Sequence, residues 1–596
     1  MQQPELLDAA VVRAWLSTSA RALATARAEI DRVNVFPVAD GDTGTNMYLT
    51  VRDAATAVRS APEGASGARL LRVAARAALL GARGNSGVIL SEWLRGLTVA
   101  ATRGDSLALA FDAAARGARQ AVAHPAPGTI LTAAESAAAA ARHVEAGGMV
   151  GPPGSPARLS TIDAACRGAR EAALRSIGAL EPLRSAGVLD AGACGLVLVL
   201  GSLAAAQRAV AGEVSEAAGS IAPVLLDIDL HGHAGPDEDA VDVAGPAAGP
   251  GGAAHGGTPL GHGLEGGLDG GHGGVPTDDV ELMFVLERSA TAVGFRPGAV
   301  ADALRADLDD VGSSVVVVGG GEGDDPVEVD AEAEVEDAAA GKDGADGAED
   351  ADRSLWQAHV HTADLDAALG VARRWAARGA VSRVFVRHLA VPPDRWAVVV
   401  TTGAPALAAE LARGGAVVVL DLDVRPTAED LVAAALGAGA PHALVLAPEA
   451  LLGAETFLPA ADGPDEAPEI VRVVAPDDVH VVAGMSTLAA VLDDPDEPDE
   501  AVADAVAAVV GGLRVGGGPA VTFGAIVKRL VAGTATAIVT LLPDDDVPDT
   551  TVEVLASRAA EISGGADVVV MRTGRPGDHV AIGVEPAGLG APEGAA

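Results

Sequence analysis

Lysine is nearly absent from this chain of 596 residues: only Lys342 and Lys528 occur. A Gly-Lys-Ser/Thr phosphate loop is therefore excluded. Lys528 follows Gly524-Ala525-Ile526-Val527, a faint likeness to a protein-kinase lysine strand, but no His-Arg-Asp or Asp-Phe-Gly follows it. Any use of ATP has to proceed without either lysine-based design. Cysteine is as scarce, with only Cys166 and Cys194, so neither a disulfide framework nor a metal-type cysteine pairing exists. Cations of both kinds number 41 against 82 carboxylates, a formal net charge of −41. That balance argues against nucleic acid or an anionic membrane surface as the main partner. Much of the negative charge is local, in the Asp/Glu run from Gly319 to Asp352. The N-terminus lacks a basic region followed by an apolar core. The longest uninterrupted apolar run, Leu196 to Ala206, ends at Gln207-Arg208 short of membrane-spanning length. The expectation is a cytoplasmic, reduced, soluble chain without an integral membrane segment.

What is present is 49% hydrophobic residues with only 2% aromatics and abundant Ala and Gly. The length suits about three to four domains, with helices that pack closely on small side chains. Residues 1–212 read as all-helical: Leu7, Val11 and Trp15 recur at helical spacing, as do Leu70, Leu71, Ala74, Ala77, Ala78 and Leu79.

Between two of these helical stretches lies Asn34-Val-Phe-Pro-Val-Ala-Asp40-Gly-Asp42-Thr-Gly-Thr-Asn-Met47. Two carboxylates, two hydroxyls and two carboxamides in one short loop suit Mg²⁺ and phosphate better than packing. Two aspartates one residue apart can hold ions that bridge nucleotide phosphates, so the loop points to a nucleotide-dependent phosphotransferase. Better-known motifs fail here. An EF-hand starting at Asp40 needs Gly at its sixth position and Glu at its twelfth, where Thr45 and Val51 stand. An aspartic protease needs a second Asp-Thr-Gly. A haloacid-dehalogenase pattern fails at Gly44 and has Pro37 in its preceding strand. The plain alternative is a solvated interhelical turn. Three further glycine-bearing loops accompany the first: Gly81-Ala-Arg-Gly-Asn-Ser-Gly87, Pro127-Gly-Thr-Ile-Leu-Thr132 and Gly187-Val-Leu-Asp-Ala-Gly192. Each exposes backbone N–H groups at the start of a helix, and four on one domain favour a shared polar site.

Residues 213–278 are rich in Gly, Pro, His and Asp without periodicity and read as a disordered linker, whose scattered histidines (231, 233, 255, 262, 272) read as adventitious. Beyond it the pattern changes to strands over Glu281–Leu286, Val315–Val318 and Trp356–Thr362, a helix over Ala363–Arg378, and an acidic insertion at 319–353. Val-rich strands such as Ala397–Thr401 and Ala416–Leu420 then alternate with Ala-rich helices in an α/β pattern. His359 and His361 sit two apart on a strand and so share a face, where they can bind a metal or act on the reacting group, or merely face solvent.

The aspartate loop, the Gly-Ala-Arg-Gly-Asn-Ser-Gly run and the Pro-x-Gly-Thr-x-Leu-Thr run resemble the bacterial fatty acid kinase ATP-binding subunit, whose first domain is similar to the L subunit of dihydroxyacetone kinase. His359-Val-His-Thr362 resembles an element of that family's middle domain, and Pro426-Thr-Ala-Glu-Asp430 resembles its DegV-type C-terminal domain. The resemblance implies a multidomain chain: an all-α eight-helix barrel over 1–212, a linker over 213–278, a small α+β middle domain over 279–378, and a DegV-like α/β domain over 379–590. It implies ATP and Mg²⁺, with Asp40, Asp42 and Asn34 on the metal. Thr43, Gly44, Thr45 and Asn46 would cradle phosphates, Asn85, Ser86, Gly128 and Thr129 would surround the nucleotide, and Asp190 would sit in a closing loop. His359 and His361 would act in catalysis, with Glu281 standing where the family often has cysteine. The acceptor would be a fatty acid held by a separate DegV-type protein and the product an acyl phosphate, in a homodimeric assembly. Transfer to dihydroxyacetone and a non-catalytic nucleotide-sensing scaffold are the competing expectations. Leu420-Asp-Leu-Asp-Val-Arg425 replaces the glycine-rich segment expected before Pro426, so the last domain is expected to dock or dimerise rather than bind ligand.

Overall fold

The computed structural model describes residues 5–152, 155–211, 280–289, 297–320, 353–389, 395–453, 468–492 and 498–588. The linker with its five histidines and all but the margins of the acidic insertion lie outside them.

The described N-terminal residues form helices α1 Ala9–Arg32, α2 Thr43–Ser60, α3 Gly67–Gly81, α4 Gly84–Arg103, α5 Leu107–Ala121, α6 Ile130–Ala146, α7 Pro156–Ser176, α8 Glu181–Ala186 and α9 Ala191–Val210. Each long helix packs on the next long one, and α9 returns to α1. The helical periodicity decides which faces meet: Val11, Trp15, Leu23 and Ile30 of α1 are all buried. Trp15, Trp93 and Phe111 form an aromatic chain across α1, α4 and α5, with successive ring centroids 6.4 and 6.1 Å apart. Elsewhere the core is Ala and Leu, which lets backbones approach. At Gly96 a Cβ would come within 2.4 Å of Ala114 Cα, so α4 and α5 touch there only because the residue has no side chain. Helix α9 is long and apolar enough to cross a membrane by length and composition, which the run-length reading did not register. Most of it is buried, packed against α1, α6 and α7.

The later residues form two sheets. The larger contains β1 Val280–Ser289, β2 Ser313–Gly320, β3 Arg353–Thr362, β4 Ala380–His388, β5 Trp396–Thr402, β6 Ala416–Leu420, β7 His442–Ala447 and β8 Glu469–Val474. Their order is β2-β3-β1-β4-β6-β5-β7-β8. Pairing is antiparallel from β2 to β6 and parallel from β6 to β8. Helices α10 Pro297–Asp309, α11 Leu365–Ala376, α12 Pro405–Arg413 and α13 Ala428–Gly437 connect these strands, and α14 Asp478–Leu492 and α15 Asp499–Gly512 follow them. The second sheet, β11-β10-β12-β9, comprises β9 Arg514–Pro519, β10 Thr536–Pro543, β11 Asp567–Val570 and β12 His579–Pro586, with α16 Phe523–Val531 and α17 Asp549–Ser563. The expected break at 378/379 is not a break in hydrogen bonding, because β4 pairs with β1 on one side and β6 on the other. The strands expected from Val-rich runs are present, each longer by a residue or more except β6.

Alternation along β1 sets how the large sheet meets the helices. Leu282, Phe284 and Leu286 pack on one face with Leu304 of α10 and Leu369 and Trp375 of α11. Met283 and Val285 point the other way and join the core of the helical region, together with Val316, Val318 and Leu355. Hydrogen bonds reinforce this contact: Ala123 N donates to Val315 O at 3.1 Å, and Gln357 Nε2 donates to Ala82 O at 2.8 Å. The sheet is thereby pressed against the loops that precede α4 and α6.

Candidate active site

The aspartate loop emerges from α1 and leads into α2, and Asp31 on the last turn of α1 fixes its exit. Asp31 accepts from Thr45 N at 3.0 Å and from Thr45 Oγ1 at 2.7 Å. Gly44 sits against α1, where a Cβ would lie 2.4 Å from Arg27 O. With the second half of the loop held this way, its first half faces a cleft between the helices and the large sheet. Asn34, Asp40, Asp42, Thr43, Asn85, Ser86, Thr129, Asp190 and His361 all line that cleft. Gly44, Thr45, Asn46, Gly128 and His359 lie outside its lining. Thr45 is occupied by Asp31, and Asn46 lies beneath Gly84, whose Cβ would fall 2.2 Å from Asn46 Nδ2.

Four helices, α2, α4, α6 and α9, begin at this cleft. Helix N-termini carry unsatisfied N–H groups and the positive end of the backbone dipole. Thr129 caps α6 by accepting from Leu131 N, and Asp190 caps α9 by accepting from Ala193 N at 2.7 Å. Helices α2 and α4 have no side-chain cap. Asp31 already takes Thr45 N in the first turn of α2, so the first turn of α4 is the one left most open to an anion.

The carboxylates at the cleft are crowded. Asn34 Nδ2 donates to Asp40 Oδ1 at 2.5 Å. Burial, with Asp42 beside it, pushes the Asp40 carboxyl up to about 8, and the two carboxyls are hydrogen-bonded to each other. The two acids are offset only in part by the Arg387 guanidinium. Their oxygen-only donor set, completed by the Asn34 carboxamide, fits Mg²⁺. Burial also raises Asp190 to about 7 and Asp31 to about 6, against the hydrogen bonds they accept. In the folded state both hold protons that the unfolded chain releases near pH 4, so their contribution to stability falls as pH rises through about 6 and 7. Thermal denaturation across roughly pH 5–8 is expected to show that decline, and Asp190→Asn, which preserves the helix cap, to flatten its upper part. A slope unchanged by the substitution would assign the effect to other groups.

The opposite wall comes from the large sheet. Register places Ser313, His361, Glu281 and Arg387 side by side across β2, β3, β1 and β4. Arg387 Nη2 donates to Asp42 Oδ2 at 2.6 Å, while its Nε donates to Glu281 Oε2. Burial alone would raise Glu281, but Arg387, His359 and His361 override it and hold the carboxyl well below its usual range. His359 Nδ1 lies 3.0 Å from Glu281 Oε1, and the two histidine rings are 4.9 Å apart. Burial first, then the adjacent His359 and Arg387, lower His361 to about 3, so it is neutral at physiological pH. His359 is 0% exposed and His361 5%, which removes the solvent-facing reading of this strand. Among the described residues no three His, Cys, Asp or Glu side chains converge as a metal ion requires. Glu281 is compensated by a guanidinium instead.

Arg387 and Asp31 were not anticipated. Arg387 had a signal: with Arg383 it brackets the continuous apolar run Val384-Phe385-Val386, the pattern of a strand buried on both faces. Asp31 had none, being one of several charges near the end of α1.

A cleft where helix N-termini converge on an aspartate pair is an arrangement with the chemistry to take a metal ion and phosphate. Residues 37–205 match the DAK2 domain. The chain is 44% identical to a protein of Staphylococcus haemolyticus over 117 residues, which are 19% of this chain and 21% of that one. It is 35% identical to protein YloV of Bacillus subtilis over 199 residues, 32% of this chain and 34% of that one. The chain thus spans between a fifth and a third of the length of these curated relatives. Among solved structures, dihydroxyacetone kinase from C. freundii in complex with AMP-PNP and Mg²⁺ overlaps 34% of each chain at 19% identity and a TM-score of 0.27. The Streptococcus pneumoniae fatty acid kinase B3 protein loaded with linoleic acid overlaps 32% of this chain and 99% of its own, at 14% identity and a TM-score of 0.24. At these scores neither overlap bears on function.

Proposed function

We propose that the cleft binds Mg²⁺–ATP and that the chain is the ATP-binding subunit of a fatty acid kinase, phosphorylating a fatty acid presented by a DegV-type carrier protein in the cytoplasm. The observation that carries this reading is the meeting of the α4 N-terminus, which has no side-chain cap, with the Asp40–Asp42 pair in one cleft of the residues that match the DAK2 domain. Asp40 and Asp42, with Asn34, would hold Mg²⁺, which when bound neutralises charge on the β- and γ-phosphates. The first turn of α4, with Thr43, Asn85 and Ser86, would hold the phosphates, and Thr129 and Asp190 the rest of the nucleotide. A carboxylate oxygen of the fatty acid forms the bond to the γ-phosphorus as the bond from that phosphorus to the ADP oxygen breaks. The acceptor is already ionised near neutral pH, so no general base has to remove a proton. His361 and, behind it, His359 would shape the sheet-side wall next to Arg387, where the acceptor enters.

The test is Mg²⁺-dependent transfer from radiolabelled ATP with a DegV-type fatty-acid carrier, and with dihydroxyacetone and its own carrier subunit as the competing acceptor. Label in acyl phosphate is the expected result. Label only in the ketose would move the function to a dihydroxyacetone kinase, and ATP binding without labelled product would leave a nucleotide-sensing scaffold.

A further inference from the structure

We propose that Arg387 contacts the terminal phosphate of the nucleotide, so that a strand of the large sheet supplies the cation by which the cleft tells ATP from ADP. This rests on the reading of the cleft as a Mg²⁺–ATP site and deepens it.

Strand β4 carries Arg387 directly opposite Glu281 of β1. Arg387 Nε donates to Glu281 Oε2, while Nη2 reaches across to Asp42 Oδ2 at 2.6 Å. A guanidinium holds its donors in one rigid plane, so anchoring Nε on Glu281 sets where Nη2 points. Glu281 is 1% exposed, whereas the Arg387 side chain is 30% exposed and lines the cleft. Nη2 also stands at the start of α4: a Cβ on Gly84 would lie 3.8 Å from it and 2.2 Å from Asn46 Nδ2. Asn46 is 2% exposed, and its Nδ2 has no hydrogen-bond partner among the described residues. The first N–H groups of α4, which has no side-chain cap, are donors as well. Donors from β4, α2 and α4 thus converge around Gly84. The acceptor that Nη2 has there is Asp42, a residue the Mg²⁺–ATP reading gives to the metal.

With Asp42 committed to the ion, Nη2 is released to another anion, and the phosphate chain is the anion that α4 brings to this point. Arg387 keeps Nε on Glu281 throughout, so one nitrogen changes partner and the strand stays in place. Glu281 is then a positioning residue. The contact is charge-assisted, the strong kind of hydrogen bond. Arg387 stands on the wall from which the acceptor enters, and the phosphate nearest that wall is the one to be transferred. A cation there offsets the charge that the phosphoryl group spreads over its oxygens during transfer. In the absence of nucleotide the same guanidinium competes with Mg²⁺ for Asp42. Removing it therefore has effects of opposite sign on the ion and on ATP, which a merely structural role would not produce.

The experiment is titration calorimetry of the full chain with Mg²⁺ alone, with Mg²⁺–ADP and with Mg²⁺ and a non-hydrolysable ATP analogue. The unaltered chain should bind the analogue more tightly than ADP. The double variant Arg387→Met, Glu281→Met removes the cation without stranding the buried carboxylate. It should bind the analogue weaker by roughly tenfold or more, the scale of a hydrogen bond to a charged group, and ADP nearly as before. Mg²⁺ alone should bind more tightly. Circular dichroism verifies that the variant folds. Should it not fold, Arg387→Lys, which keeps a cation beside Glu281 but lacks the second arm, carries the same comparison and should lose the preference for the analogue. An equal loss of both nucleotides, a preference that survives the substitution, or Mg²⁺ binding no tighter in the double variant would each overturn the proposal and leave the Mg²⁺–ATP reading standing. An unaltered chain that binds neither nucleotide would overturn both.

Discussion

Asp40→Asn is expected to lower ATP-dependent transfer by roughly a thousandfold or more, the scale on which removing a transition-state charge stabiliser acts. The substitution keeps the size of the side chain and the oxygen that accepts from Asn34 Nδ2. It removes only the ability to carry a charge onto the metal. The folded protein without metal should not suffer, because the Asp40 carboxyl is pushed up to about 8 by burial and by Asp42, so ionising it works against folding. Neutralising that position relieves the strain between the two acids, and the melting temperature should stay level or rise. Activity and stability therefore move in opposite directions, which separates loss of a ligand from misfolding. Thermal denaturation with and without Mg²⁺ gives a second readout. The unaltered chain should gain stability with the ion, as any ligand specific to the folded state provides, and the variant should not. A variant keeping more than a tenth of the transfer rate would remove Asp40 from the metal site.

Arg387→Met should be the most destabilising single change at the site, costing about 3–5 kcal/mol, the range for breaking a buried ion pair by removing one partner. The reason is Glu281, only 1% exposed, whose low pKa depends on the guanidinium. Without Arg387 its charge is buried with no cation beside it. Because the folded-state pKa is depressed, the stabilisation from this pair is present above the ordinary carboxylate range and lost only as pH falls below it. The double variant Arg387→Met, Glu281→Met replaces the pair by apolar groups of similar length and should recover much of the loss. Chemical denaturation of the two single variants and the double variant measures the coupling. Additive effects would mean that the two residues act independently, against the geometry described above.

The loops that build the cleft were legible because their chemistry is local. Asn34 to Thr43, Asn85-Ser86, Thr129 and Asp190 are turn and cap residues at helix starts, and such residues announce themselves by type and spacing. The same holds for Thr427 and Asp430, which form a reciprocal capping box at the start of α13 and explain the Pro-Thr-Ala-Glu-Asp run physically. Strands β1, β5 and β6 followed from their Val-rich composition. The extent of the large sheet did not, since β4 reads in sequence like the start of a new stretch and only its pairing with both β1 and β6 shows that one sheet runs through it.

By itself the sequence determined the helical first region, the alternation of strands and helices after the linker, and a loop chemistry fit for metal and phosphate. Those properties depend on neighbours within a few positions, through periodicity, caps and turns. The tertiary structure alone decided that Thr45 would be spent on Asp31 while Thr43 faces the cleft. It decided that His361 would be a buried wall rather than a solvent face. It also brought Arg387 to Asp42 across 345 residues of chain. Charge pairing between elements so far apart is set by which faces the apolar residues force together, and no local pattern encodes the partner.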